Sequence, residues 1–192
     1  MSPRTPDQLA EVKKEKRLII ENAALEVFAE DGYHHASVSK IAKKAGVSKG
    51  LMYNYFHNKE DLLKELIRDI VQEVLERLAL PEKKNLTDDD VKKFIHTSLK
   101  LVKEDPQRWK LFSGMFLQKE VTELMMSEML RLSTQFIAPF WKYFDSKGID
   151  NPEAWLRYFH ATIDGVQLQL MMDPINFPSE EVEQMIIKQF VD

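Results

Sequence analysis

The stretch from Ser37 to Lys59, SVSKIAKKAGVSKGLMYNYFHNK, decides how this chain folds. A helix is expected to start at Ser37, whose hydroxyl accepts from the free N–H groups of a first turn, and to run through Ile41 and Ala42 to Ala45. Gly46 stops it, Val47 follows as a small apolar plug, and Ser48 caps another short helix from Lys49 to Tyr55. Two short helices joined by so tight a glycine-containing turn form a helix-turn-helix unit. Ala42, Ala45 and Gly46 are small, which lets steeply crossing helices bring their backbones close. Val38, Ile41, Val47, Met52 and Phe56 read as its core.

Upstream of this unit, Ile20, Ala23, Ala24, Val27 and Phe28 recur at threes and fours between Lys14 and Asp31, which predicts a helix closed by Gly32. Downstream, Asn58 is the expected N-cap of a long helix with Glu60 and Asp61 in its first turn. Its apolar stripe runs from Leu62 to Leu78, up to Pro81. A polar connector over 82–90 precedes a helix carrying Phe94, Ile95, Leu99, Leu101 and Val102, which Asp105 and Pro106 interrupt. Further helices are expected over about 107–117, 120–146, 152–172 and 179–191. No alternating strand pattern occurs, so the fold class is all-α with about nine helices. The expected division is a flexible arm over 1–13, a three-helix domain carrying the helix-turn-helix over 14–60, and a larger helical domain over 61–192.

Charge supports this division. The chain as a whole carries a net charge of −4, yet from Gly32 to Lys59 there are five lysines (Lys40, Lys43, Lys44, Lys49, Lys59) and no acidic residue. Binding of a polyanion responds to such a local field rather than to the sum, although a solvated lysine face has the same composition. The basic run Lys13, Lys14, Lys16, Arg17 fits either a phosphate-tracking arm or a merely solubilising one. The absence of cysteine removes disulfides, thiolate catalysis and cysteine-based zinc sites, in keeping with a cytoplasmic location. No apolar run approaches a membrane span, and the first 17 residues lack the apolar stretch that drives secretion. There is no glycine-rich phosphate loop, no nucleophile elbow and no hydrolytic His–carboxylate set, which argues against an enzyme and leaves no catalytic residue or cofactor to assign.

The pattern Ile41-Ala42-x-x-Ala45-Gly46-Val47-Ser48-x-Gly50-x-x-Tyr53-x-Tyr55-Phe56-x-x-Lys59-x-x-Leu62 closely resembles the helix-turn-helix signature of the TetR family of transcriptional regulators. Ala23-Ala24-Leu25-x-x-Phe28-Ala29-x-x-Gly32-Tyr33 is similar to that family's first helix, so the likeness covers roughly residues 18–63. It implies that the third helix enters the major groove of an approximately palindromic DNA operator, with Lys49, Gly50, Leu51 and Asn54 facing or flanking bases. Tyr53 and Tyr55 would offer hydroxyls to phosphates, Lys59 a charge to another phosphate, and Ser37, Ser39 and Ser48 complete the implied DNA-binding set. Ser39 stands where the family often has a longer polar residue and Leu51 where it often has a small hydroxyl one; Leu51 would meet a thymine methyl instead.

The C-terminal half is rich in aromatic residues and methionine, which serve packing and also line pockets for apolar ligands. A cavity touched by Phe112, Phe116, Met125, Phe136, Phe140 and Phe159 is expected. The eighth helix is apolar on more than one face, so a second subunit is expected to cover it. Ile163, Val166, Leu170, Val182, Ile186 and Phe190 are the candidate homodimer contacts. His160 and Asp164, four apart, read as a hydrogen-bonded interfacial pair rather than a metal site. The function implied is a homodimeric, sequence-specific repressor released from DNA by a small, largely apolar effector; the alternative is a regulator controlled by abundance or by a protein partner.

Overall fold

A computed structural model describes residues 5–78 and 85–192, with the side chains of 128, 129 and 131–136 excepted. The described residues form nine helices and no strand: α1 (Pro6–Asp31), α2 (Val38–Lys44), α3 (Lys49–Tyr53), α4 (Lys59–Leu78), α5 (Asp88–Glu104), α6 (Pro106–Phe116), α7 (Lys119–Ser146), α8 (Pro152–Met172) and α9 (Ser179–Phe190). Part of the expected 82–90 connector lies outside the described residues. The chain divides into two compact units, Met1–Asp69 with Leu111–Met125, and Ile70–Lys110 with Met126–Asp192. The boundaries fall inside α4, α6 and α7, so the turn between α6 and α7 belongs with the N-terminal helices.

In the first unit, the apolar stripe of α1 (Ile20, Ala24, Val27, Phe28) is buried together with Ile41 of α2, Met52 of α3, Phe56, and Leu62 and Leu63 of α4. The arm expected up to residue 13 is helical from Pro6 onward. Thr5 accepts from the N–H of Gln8, whose side chain accepts in turn from the N–H of Thr5, and Pro6 supplies a preset φ at the first helical position.

In the second unit, α5, α7, α8 and α9 enclose one aromatic core. Phe140 and Phe144 of α7, Phe159 of α8 and Phe190 of α9 are buried with Val91, Ile95 and Leu99 of α5. Phe94 packs edge-on to Phe140 at 4.7 Å, and Phe140 lies 5.5 Å from Phe159, spacings at which tilted rings attract. Gln167 Nε2 donates to the Ser98 carbonyl at 2.9 Å, tying α8 to α5.

An ionic cluster holds α1 to α4. The Arg17 guanidinium donates to Glu65 at 3.0 Å and Asp69 at 2.9 Å, and Nε lies 2.8 Å from Glu21 Oε1. That oxygen has no directed donor, and the Glu21 side chain is only 7% exposed. Burial, reinforced by the charge of Asp69, pushes the Glu21 carboxyl up to about 7. The folded state therefore holds a proton that an unfolded chain releases near pH 4.5, so this group's contribution to stability is intact at low pH and is lost as pH rises through 7. Thermal unfolding followed by circular dichroism should show the melting temperature falling by several degrees between pH 5.5 and 8, while Glu21→Gln flattens the dependence. An equal fall in both proteins would contradict the assignment.

Candidate nucleic-acid interface

α2 and α3 are only seven and five residues long, too short to persist alone, so their ends are held by side chains and by the turn between them. Ser37 accepts from the Lys40 N–H at 3.1 Å and Ser48 from the Leu51 N–H at 3.0 Å. Gly46, at φ +64°, closes α2: its N–H donates to the Lys43 carbonyl and that of Val47 to the Ala42 carbonyl, the paired bonds of a Schellman turn. Met52 and Phe56 anchor α3 from below, each burying enough to contribute about 2 kcal/mol. Asn58 caps α4 by accepting from Asp61 N–H at 2.8 Å, and the Asp61 carboxylate accepts from His57 N–H at 2.9 Å.

Seating α3 in this way leaves Ser37, Ser39, Ser48, Lys49, Gly50, Tyr53 and Asn54 exposed, with Leu51 and Tyr55 half-buried. α3 ends at Tyr53, two residues before the expected Tyr55, with Asn54 in the C-cap position. A β-carbon on Gly50 would come no nearer than 4.0 Å to the Ser48 hydroxyl, so nothing in the fold asks for glycine there.

The lysines divide into two groups. Lys40 pairs with Asp31, and Lys44 with Glu26 at 2.6 Å and Glu30 at 3.2 Å, all on α1. Lys43 and Lys49 have no ion pair among the described residues. Lys59 points inward. Its ammonium donates to the carbonyls of Tyr33 (2.7 Å), Ala36 (3.1 Å) and His34 (3.3 Å), and stands 4.3 Å from the centre of the Tyr33 ring. These acceptors use all three N–H bonds of the ammonium, so Lys59 holds the loop between α1 and α2 rather than presenting a free charge for a phosphate.

The expected effector and dimer residues fall differently. Phe112, Phe116 and Met125 belong to the first unit, with Phe116 42% exposed and Met125 buried. Phe140 and Phe159 are closed into the aromatic core of the second, so they fill space instead of lining it. The Phe136 side chain lies outside the described residues. The second unit has a concavity of about 470 Å³ between α7 and α8, lined by Ile137, Ala138, Trp141, Lys142, Glu153, Leu156, Arg157 and His160. Of the expected dimer contacts, Ile163, Ile186 and Phe190 lie in the core of their own protomer, Val166 and Val182 pack against that core, and Leu170 is buried too. The large apolar side chains that α8 and α9 leave exposed are Tyr158, Leu168, Met172 and Met185, with Ile175 just beyond α8. His160 sits against the Phe140 and Phe159 rings, and burial favours its neutral form. Two other histidines have acidic partners: His34 with Glu120 at 2.7 Å and His96 with Glu183 at 3.1 Å.

The sequence profile of bacterial regulatory proteins of the tetR family matches residues 20–66. The chain is 31% identical over 160 residues to YdgC, an uncharacterized HTH-type transcriptional regulator of Bacillus subtilis (strain 168), covering 80% of this chain and 72% of that protein. The chain belongs to the tetR family. It is also similar to the fatty acid metabolism regulator protein of the same organism, with 47% identity over 75 residues, 39% of this chain; the match spans only 39% of that relative's length. Among solved structures it resembles the transcriptional regulator FadR from Bacillus subtilis in complex with stearoyl-CoA, with a TM-score of 0.68 and 25% identity over 91% of this chain and 97% of that one. TetR-family proteins are DNA-binding regulators and not enzymes, which agrees with the capped, exposed α2–α3 pair. Among the described residues no helix is long and apolar enough to cross a membrane.

Lys59→Met separates the two tasks open to that side chain. Loss of the loop clamp should lower the melting temperature by about 3–6 °C and weaken DNA binding equally at every salt concentration. Loss of a phosphate contact would instead make the dependence of log affinity on log salt shallower by about 0.9, as read by fluorescence anisotropy.

Proposed function

We propose that this tetR-family regulator is a cytoplasmic homodimeric repressor that reads an approximately palindromic operator with α3 and leaves it when a small, largely apolar ligand binds. The observation that carries the DNA reading is the bare outer face of α3. Ser48, Lys49, Gly50, Tyr53 and Asn54 are exposed on or beside one seated helix, and Gly50 lacks a side chain where the fold has room for one. A glycine inside a helix costs about 1 kcal/mol relative to alanine, so its use here makes sense if DNA must approach the backbone. Lys49 and Lys43 supply charge, Ser37, Ser39, Tyr53 and Tyr55 hydroxyls to phosphates, and Leu51 an apolar contact to a base.

Dimerisation is supported by the exposed stripe on α8. Tyr158, Ala161, Gly165, Leu168 and Met172 recur at threes and fours, and Gly165 has open space where a side chain would stand. An apolar face with small residues at its centre suits close crossing by the same helix of a second copy. Two copies place two α3 helices on one duplex, and a ligand that favours a dimer with the wrong separation lowers operator affinity by its differential binding energy.

The similarity to a fatty acid metabolism regulator and to a stearoyl-CoA complex makes a long-chain acyl thioester the first effector to test. The concavity between α7 and α8 supports a ligand of this character, with Ile137, Ala138 and Leu156 forming apolar lining and Lys142 a cation beside it. Titrating stearoyl-CoA into an operator complex at fixed salt should lower DNA affinity by at least about tenfold. If no acyl thioester or other apolar compound alters binding, control by abundance or by a protein partner becomes the account.

A further inference from the structure

The turn between α6 and α7 reaches the end of α1 and the loop after it through the amide of Gln118. Gln118 Oε1 accepts from the Tyr33 N–H at 2.6 Å, and its Nε2 donates to the Phe28 carbonyl at 3.0 Å. The two bonded groups flank Gly32, which ends α1 at φ +82°, so one side chain satisfies both the last turn of α1 and the first N–H of the loop that follows. Two residues on, Glu120 meets His34 of the same loop at 2.7 Å. Lys59 gathers the carbonyls of Tyr33, His34 and Ala36 in that loop, and Ala36 directly precedes the N-cap of α2. The loop is thus gripped by α4 through an ammonium and by the α6–α7 turn through an amide.

Gln118 departs from an ordinary surface contact in three respects. Its bonds span 85 and 90 residues of sequence. Both partners are backbone atoms, so the grip fixes main-chain position rather than a movable side chain. The neighbouring helix ends are anchored by Met115 and Val121, both fully buried, whereas Gly114, one turn before Gln118, is an exposed helical glycine that no contact requires. Glycine inside a helix makes distortion of that turn easier. α6 and α7 also continue into the second unit, so Gln118 lies on the stretch of chain that runs between the two.

We propose that Gln118 is the coupling residue of this regulator: its amide clasps the α1–α2 loop, so that the position of the α6–α7 turn and the seating of α2 and α3 on DNA bias one another. The inference rests on the reading of α2–α3 as the DNA interface and requires no knowledge of the effector. Coupling is reciprocal, so an event at the reading helices must register at the turn as surely as the reverse.

The test is hydrogen–deuterium exchange of the full-length protein with and without a duplex selected from random DNA, comparing wild type, Gln118→Met and Gln118→Glu. Methionine keeps the length of the side chain and loses both bonds; glutamate keeps the acceptor for Tyr33 and loses the donor for Phe28. In the wild type, duplex binding should change exchange in 111–125 at least threefold. The change should vanish in Gln118→Met and be partly retained in Gln118→Glu, with the circular dichroism spectrum preserved and exchange compared at saturating duplex in both variants. An equal DNA-induced change in wild type and Gln118→Met would overturn the clasp, as would a wild type that binds the duplex without any change in 111–125. If Gln118→Met does not fold, the wild type and Gln118→Glu decide the matter by the same comparison. Failure of the wild type to bind any duplex would overturn the regulator reading and the clasp with it, an outcome that the mobility shift of the same samples distinguishes.

Discussion

A helix of five residues has no stability of its own, and everything that α3 does depends on its being seated. Met52 and Phe56 carry that task, because burying them fixes which face of α3 is turned inward and therefore which is left outward. The rest of the first unit serves the seat. Gly46 takes the left-handed conformation that lets α2 stop and α3 start three residues later, and Ser48 satisfies an N–H that α3 itself cannot. Lys59 and Gln118 then fix the loop from which α2 departs.

The distribution of charge follows the same logic. Of five lysines in a segment without carboxylates, Lys40 and Lys44 lean back on α1 and Lys59 is spent on backbone carbonyls. Exposed pairs of the first kind contribute little to stability, and the carboxylates of α1 offset their charge. What remains unpaired among the described residues is Lys43 and Lys49, at the end of α2 and the start of α3. The local field is thus narrower than the sequence count implies.

Much of the architecture was legible in the sequence because its signals are local. The caps at Ser37, Ser48 and Asn58, the stop at Gly46, and the limits of α8 over 152–172 each follow from residues within a few positions of one another. The start of α1 was missed because Thr5 and Gln8 form a capping box ahead of any apolar periodicity. The partners of Lys59 and Gln118 lie 23 or more residues away, and nothing in a residue's neighbours along the chain announces which distant carbonyl it will meet. The candidate dimer residues fall in or against the protomer core for a related reason: α8 is apolar on more than one side, and periodicity shows that a face is buried without showing whose core buries it. Ile163 and Leu170 are buried within the protomer, whereas Tyr158, Leu168 and Met172 stay exposed. Composition offers Phe140 and Phe159 as pocket walls, but rings 5.5 Å apart leave no room between them.

The most direct measurement is selection of bound duplexes from a random pool by the full-length protein at physiological salt. Two copies of a seated α3 should recover one short motif repeated with two-fold symmetry, its halves separated by about one helical turn or somewhat more. A pool that emerges without a motif, or binds no better than the starting mixture, would contradict the claim that this exposed helix reads DNA.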